Sequence, residues 1–267
     1  MRAPDELRVA ALQMRIADGD ADANMARVRS LVGGLVEPPD LLVLPELWTQ
    51  VYMPDTTSLP HERSAEALDC VRGLCREFGF HAVAGSLPWM TERGLANRSW
   101  VVNDAGQTVG YYDKAHLFSR SGEDRFFAAG DRPFLFDLGG IPCGVLTCYD
   151  MRFCEFSKCL SLAGARLLFA GAQWPLGRGG IWEPMLRMLA ANCQVWLVAA
   201  NIVGESSGQA FLGHSAVVSP WGDVVASLAD EEAILCATIR LSEVDKSREN
   251  TPIRRERRPE LYRLLTE

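Results

Sequence analysis

The chain has 267 residues, of which 48% are hydrophobic and 23% are charged, and its formal net charge is -7 at pH 7. That composition is ordinary for a globular protein and excludes a disordered or fibrous chain. The acidic balance also disfavours non-specific binding to nucleic acid or to an anionic membrane, since both need a basic protein face.

Strands and helices alternate along the first half of the chain. The pattern predicts strands over 8–14, 40–46, 81–87, 96–103, 108–113 and 133–137, and helices over 21–36 and 62–78. The sequence LGG at 138–140 indicates a hairpin into a further strand over 141–148.

The second half repeats this alternation. It predicts helices over 153–163, 181–192 and near 242–248, and strands over 165–172, 195–203, 214–219, 223–228 and 233–239. Such a pattern is typical of an α/β fold with mixed sheets and helices outside. Two sheets of this kind stacked face to face form a four-layer α-β-β-α sandwich. Because no linker or low-complexity segment interrupts the chain, we expect one domain over 1–267.

The C-terminal tail and the cysteines bear on partners and compartment. Acidic residues interleave the arginines of TPIRRERRPELY, so we expect the tail from about 250 to pack on the domain or on a neighbouring subunit, not on nucleic acid.

No leader or membrane span is recognisable, so we expect a cytoplasmic protein with reduced cysteines. Cys143, Cys148, Cys154 and Cys159 have spacings that would point their thiols apart, so we expect no metal site.

Three reactive side chains follow predicted buried strands. Glu46 ends DLLVLPE, Lys114 lies in GYYDKAHLF and Cys148 lies in GVLTCYDMRF. The carboxyl ends of strands are where α/β sheets form their binding crevices. Each residue alone also has a structural explanation, as a turn cap, a solvated strand end or a small core residue.

Together, these residues make a coherent catalytic set. A cysteine thiol needs a base or a nearby positive charge to act as a nucleophile. Glu46 can accept the proton of Cys148, and Lys114 can stabilise the thiolate and then an oxyanion. The backbone N–H of Tyr149, directly after the cysteine, can supply a second oxyanion donor.

Four segments carry a family resemblance. LPELW, YYDKAHLF, GVLTCYDMRF and GHSAVVSPWG, in this order, resemble the sequence blocks of the nitrilase, or carbon-nitrogen hydrolase, superfamily. The resemblance implies a Glu-Lys-Cys triad at Glu46, Lys114 and Cys148, the α-β-β-α sandwich, no cofactor, and pairing of subunits into a homodimer or higher homo-oligomer. It also implies that Glu123 positions the substrate amide or assists proton transfer, although a loop carboxylate beside Arg125 is an equal reading.

Two further stretches are similar to the ω-amidase and 2-oxoglutaramate amidase branch: TCYDMRFCEF and AQWPLGRGGIW. The resemblance implies that Arg178 pairs with a substrate carboxylate and that Trp174 walls the pocket. The alternatives are a loop arginine and a core or rim tryptophan. The chain departs from this branch at Ile181 and at LAANCQ (189–194), where a missing carboxylate is expected to alter the support or shape of the thiolate site.

The sequence therefore predicts an amidase that releases ammonia from a small carboxylate-bearing amide through a thioester. The alternatives within the enzyme class are an N-carbamoyl amide hydrolase and a nitrilase, and outside it a pseudoenzyme that serves as a binding module. We interpret His116 and His214 as structural hydrogen-bonding residues, because the resemblance makes the base a glutamate.

Overall fold

The computed structural model describes residues 5–51 and 61–262. Its strands are β1 (Glu6–Gln13), β2 (Leu41–Val43), β3 (His81–Thr91), β4 (Gly94–Val102), β5 (Thr108–Asp113), β6 (Leu135–Leu138), β7 (Ile141–Thr147), β8 (Leu167–Ala172), β9 (Trp196–Asn201), β10 (Val203–Ser206), β11 (Gln209–Leu212), β12 (Ala216–Val218), β13 (Val224–Ser227) and β14 (Ala233–Arg240). Its α-helices are α1 (Ala21–Gly33), α2 (Ser64–Phe78), α3 (Cys154–Leu162), α4 (Trp182–Cys193), α5 (Ser242–Asn250) and α6 (Ile253–Glu256). Across these two ranges, no helix is long and apolar enough to cross a membrane.

The predicted helices and strands are present, with their ends shifted by a few residues. The hairpin of β10 and β11 was not predicted as a separate element. Its turn residues Ser207 and Gly208 have φ values of 49° and 74°. Two consecutive positive φ values are typical of a type I′ turn, which matches the twist of the strands that it joins.

Two six-stranded sheets form the centre of the molecule. Their strand orders are β14-β1-β2-β3-β4-β5 and β13-β12-β9-β8-β7-β6. In the first sheet β1, β2 and β3 are parallel, and in the second β7, β8 and β9 are parallel. The remaining pairs are antiparallel. The predicted mixed sheets are therefore confirmed.

The two sheets stack on a shared apolar core. Val9 and Val43 of the first sheet share this buried cluster with Val145 and Phe169 of the second. Because successive strand residues point to opposite faces, the neighbouring residues of each strand point outwards onto helices. Leu42 of the first sheet joins a cluster with α1 and α2, and the second sheet joins one with α3 and α4. The predicted α-β-β-α order of layers is confirmed.

The described part of the C-terminal segment contacts the chain's own helices. Arg254 in α6 donates from Nη2 to the carbonyl oxygens of Ser161 and Leu162, at 2.9 and 2.8 Å. Gln194, which follows α4, donates from Nε2 to the Thr251 carbonyl oxygen at 2.7 Å. The two Arg254 bonds reach carbonyl groups at the C-terminal end of α3.

Candidate active site

Cys148 follows β7 directly and begins the 3-10 turn Cys148–Arg152. Its φ is 45°, in the left-handed region that non-glycine residues rarely adopt. The turn is closed by a capping box in which the Asp150 carboxylate accepts the Thr147 N–H at 2.8 Å. The left-handed residue therefore lies between two residues bonded to each other, and its partly exposed side chain lines a cavity.

Glu46 lies just beyond β2, where the backbone of residues 44–46 passes very close to two glycines. A Cβ atom on Gly85 would lie 2.2 Å from the Pro45 carbonyl oxygen, and one on Gly171 would lie 2.8 Å from that of Leu44. The Gln173 N–H donates to Glu46 Oε2 at 3.1 Å. Only glycine permits this approach, so Gly85 on β3 and Gly171 on β8 set the path of the chain into Glu46.

Lys114 follows β5 and lies between two carboxylates. Its Nζ is 2.8 Å from Glu46 Oε1, and 2.9 and 2.8 Å from Glu123 Oε1 and Oε2. Glu123 begins the 3-10 turn Glu123–Arg125, and its Oε2 also accepts the Phe118 N–H at 2.7 Å. The structure thus brings the predicted Glu46, Lys114 and Glu123 into direct contact, and Glu123 is not a loop carboxylate paired with Arg125.

Asn97 on β4 joins the same group, although sequence analysis did not single it out. Its Nδ2 donates to Glu46 Oε1 at 2.9 Å and to Glu123 Oε1 at 3.0 Å. Asn97 is buried, as are both carboxylates. A polar residue at an inward position of an apolar strand is the signal that could have revealed it, because such a residue must find buried partners.

The electrostatics of this group favour a neutral cysteine. Burial lowers the pKa of Lys114, but the charges of Glu46 and Glu123 outweigh this and raise it well above its ordinary value. Burial, followed by the charge of Glu46, raises the pKa of the Cys148 thiol well above its ordinary value, although Lys114 pulls it down. One ammonium against two carboxylates already leaves a negative charge, so a thiolate beside them would be unfavourable.

A cavity of about 540 Å³ opens above these residues. Glu46, Lys114 and Cys148 line it, and so do the exposed arginines Arg120, Arg152 and Arg178. None of these three guanidinium groups forms an ion pair with a carboxylate in the part of the chain that the structure describes. The Arg178 guanidinium carbon lies 4.4 Å from the centroid of the Phe118 ring. We call these three arginines the arginine rim.

The remaining predicted site residues, Tyr149 and Trp174, also line the cavity. Tyr149 is the second residue of the 3-10 turn, where a backbone N–H has no partner within the helix. Trp174 is buried, and its indole N–H donates to the Arg178 carbonyl oxygen at 3.0 Å. Trp174 therefore also holds the loop that carries Arg178.

Gln173 and the β10–β11 hairpin are further features that sequence analysis missed. The Gln173 side-chain amide donates to the carbonyl oxygens of Glu46, Leu47 and Gln50, at 3.1, 3.2 and 2.9 Å. It thereby fixes the backbone that follows β2. The hairpin turn at Ser207 and Gly208 lines the cavity. Its type I′ turn has a sequence signal in Ser-Gly, but nothing in that signal indicates proximity to Cys148.

The LAANCQ segment does not lie where the sequence led us to expect it. It forms the end of α4, and none of its residues is among those that line the cavity. The Asn192 carbonyl oxygen accepts a hydrogen bond from Lys158 Nζ, and that of Cys193 accepts one from Ser161 Oγ at 2.6 Å. The departure therefore lies outside the cavity lining, where α4 ends against α3 on the outer layer.

The histidines and the remaining cysteines of the run lie away from the cavity lining. His116 bonds to Asp150, and the His214 carbonyl oxygen accepts the Trp182 indole N–H at 2.7 Å. Cys143 is buried between the sheets, whereas Cys154 and Cys159 are exposed. Among the described residues, no group of three or more His, Cys, Asp or Glu side chains is arranged to hold a metal ion.

The chain is similar to several known proteins. The chain is 33% identical over 255 residues to the 2-oxoglutaramate amidase of Bacillus subtilis (strain 168), covering 95% of this chain and 98% of that protein. It is 32% identical over 234 residues to omega-amidase NIT2-A of Xenopus laevis, covering 83% of this chain and 84% of that protein. The crystal structure of a carbon-nitrogen hydrolase from Helicobacter pylori G27 superposes with a TM-score of 0.89 at 24% identity, covering 98% of this chain and 99% of that chain.

The family itself follows from a match over nearly the whole sequence. Residues 8–249 match the model of the carbon-nitrogen hydrolase family. The matched range includes every predicted site residue from Glu46 to Arg178. The predictions of the superfamily and of an enzyme acting on carbon–nitrogen bonds are confirmed: the chain belongs to the carbon-nitrogen hydrolase family.

Proposed function

We propose that this protein is a cysteine-dependent amidase that releases ammonia from a small amide carrying a carboxylate. The relatives named as 2-oxoglutaramate amidase and omega-amidase support hydrolysis of an amide. The single observation that supports a carboxylate on the substrate is the arginine rim, which lies above Glu46, Lys114 and Cys148. Arg178 of this rim is our candidate for the bidentate pairing that a guanidinium makes with a carboxylate.

The first half of the reaction makes a thioester. Cys148 Sγ attacks the amide carbon while Glu46 accepts its proton, so the sulfur becomes nucleophilic only as the bond forms. The Lys114 ammonium and the Tyr149 N–H stabilise the oxyanion of the tetrahedral intermediate. Glu46 then returns the proton to the leaving nitrogen, ammonia departs and the acyl group stays on sulfur.

The second half hydrolyses that thioester. Glu46 takes a proton from a water molecule, and the resulting hydroxide attacks the acyl carbon. The second tetrahedral intermediate collapses, the C–S bond breaks, and the sulfur recovers a proton from Glu46. The product is a carboxylic acid, which ionises at neutral pH, and no metal or organic cofactor enters these steps.

Glu123 is assigned to positioning Lys114 and the substrate amide. Both of its oxygens contact the Lys114 Nζ, and Asn97 links it to Glu46. With two carboxylates around it, Lys114 stays protonated while Glu46 gains and loses its proton. We call Glu46, Lys114 and Cys148 the floor of the cavity. Together with Glu123, the floor carries an excess negative charge, whereas the arginine rim is positive. These charges orient the substrate so that its neutral amide enters first and its carboxylate remains at the arginine rim.

A second candidate is hydrolysis of an N-carbamoyl amino acid, because such a substrate also carries a carboxylate for the arginine rim. The test measures ammonia release from 2-oxoglutaramate, an N-carbamoyl amino acid, carbamoylputrescine and a simple nitrile. We expect the highest kcat/KM for 2-oxoglutaramate and the lowest for the cationic carbamoylputrescine. Preference for the N-carbamoyl amino acid would establish the second candidate, and preference for the amine or the nitrile would overturn both.

We also propose that the protein works as a cytoplasmic homodimer or higher homo-oligomer with a single domain over 1–267. The expectation of reduced cysteines supports the cytoplasmic location. Exposed apolar side chains such as Met188 and Trp221 are available for a subunit contact. Light scattering of the purified protein checks the oligomeric state, and the mass of a monomer at micromolar concentration would contradict a homo-oligomer.

A further inference from the structure

Asp150 is the most completely bonded carboxylate in the described structure outside the cavity lining. It is fully buried, and each of its oxygens accepts two hydrogen bonds. Oδ2 accepts the Tyr112 hydroxyl and the Thr147 N–H, both at 2.8 Å. Oδ1 lies 3.0 Å from the His116 N and 2.8 Å from His116 Nδ1. An ionised carboxylate only accepts, so His116 carries its proton on Nδ1.

The four groups that donate to Asp150 belong to the two chain segments that carry Lys114 and Cys148. Tyr112 and His116 lie two residues before and after Lys114, and Thr147 and Asp150 enclose Cys148. Lys114 follows a strand of the first sheet, whereas Cys148 follows a strand of the second. A single carboxylate therefore joins the segment of the ammonium to the segment of the thiol.

The contacts of Tyr112 make this junction rigid. Its hydroxyl oxygen also accepts the Ala115 N–H at 2.9 Å, which closes the turn that presents Lys114. Burial, and next the charge of Asp150, raise the pKa of Tyr112, so the hydroxyl keeps the proton that it donates. The His116 ring is held in addition by stacking on Phe153, with centroids 3.8 Å apart.

We propose that Asp150 is a positioning residue that sets the Cys148 thiol against the Lys114 ammonium and maintains the left-handed backbone of Cys148. His116 and Tyr112 act through Asp150, and none of the three touches the substrate. The inference rests on the proposed function for the roles of Cys148 and Lys114. It goes beyond that function by assigning the distance between them to a carboxylate outside the cavity lining.

The test compares Asp150→Asn with His116→Ala and His116→Asn. In D150N an NH₂ group replaces one of the two carboxylate oxygens. An NH₂ group cannot accept hydrogen bonds, so two of the four bonds to residue 150 are lost. We expect kcat to fall about 100-fold in D150N, with KM close to that of the wild type, since a small misplacement of reacting groups costs about that much. H116A, which loses one side-chain donor, is expected to fall about tenfold. H116N restores a donor at that position and is expected to recover most of the rate.

Asp113→Asn is the matched control for stability. Asp113 is next to Lys114 in sequence, and it forms a largely buried pair with Arg98 at 2.6 Å without contacting the cysteine turn. We expect D113N to lower Tm comparably to D150N but to leave kcat near that of the wild type. An unchanged kcat in D150N, an equal loss of kcat in D113N, or no recovery in H116N relative to H116A would overturn the proposal.

Alkylation by iodoacetamide separates this proposal from the proposed function. Labelled peptides report the rate at Cys148 with no need for turnover. We expect D150N to slow labelling of Cys148 relative to that of the exposed Cys159 in the same sample. If Cys148→Ala still releases ammonia at the wild-type rate, the proposed function fails. If Cys148→Ala is inactive and D150N is labelled at Cys148 as fast as the wild type, only the positioning role fails.

Discussion

The floor and the rim of the cavity differ in how their side chains are held. At the floor, Glu46 and Lys114 are buried and each has several hydrogen-bond partners, some of them from both sheets. At the rim, Arg120 and Arg152 are exposed, and Arg178 rests on an aromatic ring. A rigid floor suits bond making, which depends on geometry, whereas charges on exposed loops suit recognition of substrates.

The largest expected effect is at the nucleophile. Cys148→Ala is expected to reduce kcat by roughly 10⁴-fold or more, because the thioester cannot form. The fold should remain, since the side chain is small and partly exposed. Ammonia release and circular dichroism check this. Cys159→Ala, which removes an exposed thiol far from the cavity lining, is the control and should keep full activity.

The next effect is at the base. Glu46→Gln keeps the shape of the side chain but cannot accept the Cys148 proton, so we expect kcat to fall about 10³-fold. Burial is the largest cause of the raised pKa of the Cys148 thiol and remains in the variant, so raising the pH towards 9 should restore little of this loss. A pH profile of the variant measures it. Recovery to the wild-type rate by pH 9 would show that a preformed thiolate suffices.

A smaller effect is expected at the rim. Arg178→Ala should raise KM for a carboxylate-bearing amide about tenfold, because one charge-assisted hydrogen-bonding group is lost while the floor is intact. The rate at which iodoacetamide labels Cys148 should stay the same. Steady-state kinetics on 2-oxoglutaramate and on an uncharged primary amide separate the contribution of the substrate carboxylate to KM from that of the rest of the substrate. An equal rise in KM for both substrates would contradict pairing with the carboxylate.

The smallest effect is expected on α4. Asn192→Glu restores a carboxylate that the related branch carries, but Asn192 lies outside the cavity lining and only its backbone oxygen bonds to Lys158. We expect kcat/KM within about twofold of the wild type, as for an ordinary surface substitution. A large gain in kcat/KM in this variant would mean that α4 influences the reacting groups, although none of residues 189–194 lines the cavity.

The sequence predicted the floor better than the rim for a physical reason. Glu46, Lys114 and Cys148 each follow a strand, and strand ends of a stacked sheet meet at one edge. The expectation that a buried strand precedes Lys114 is wrong, because most residues of β5 are exposed or half-buried. The position of Asn97 depends on which strands pair, and that of Arg152 depends on the path of a short turn. Neither property follows from local periodicity. The β10–β11 hairpin was missed because its first strand continues the apolar run of β9 with only a short interruption.

The position of LAANCQ was missed for a similar reason. Proximity in a family pattern suggested proximity to the nucleophile, but α4 turns its apolar side towards the second sheet and ends on α3. Cys193 is buried there by helix packing, and its pKa is raised chiefly by burial. The helical spacing was read correctly, whereas the end of the sheet at which α4 terminates is a tertiary property that spacing does not determine.

The stacking of the two sheets has a consequence for the newly made chain. Glu46 and Lys114 follow strands of one sheet and Cys148 follows a strand of the other, so the acid, the ammonium and the sulfur come from different layers. During synthesis, or after partial denaturation, the sulfur is an ordinary unactivated thiol with no base beside it. Under the proposed mechanism, chemical competence therefore requires the complete tertiary structure, in which the two layers meet.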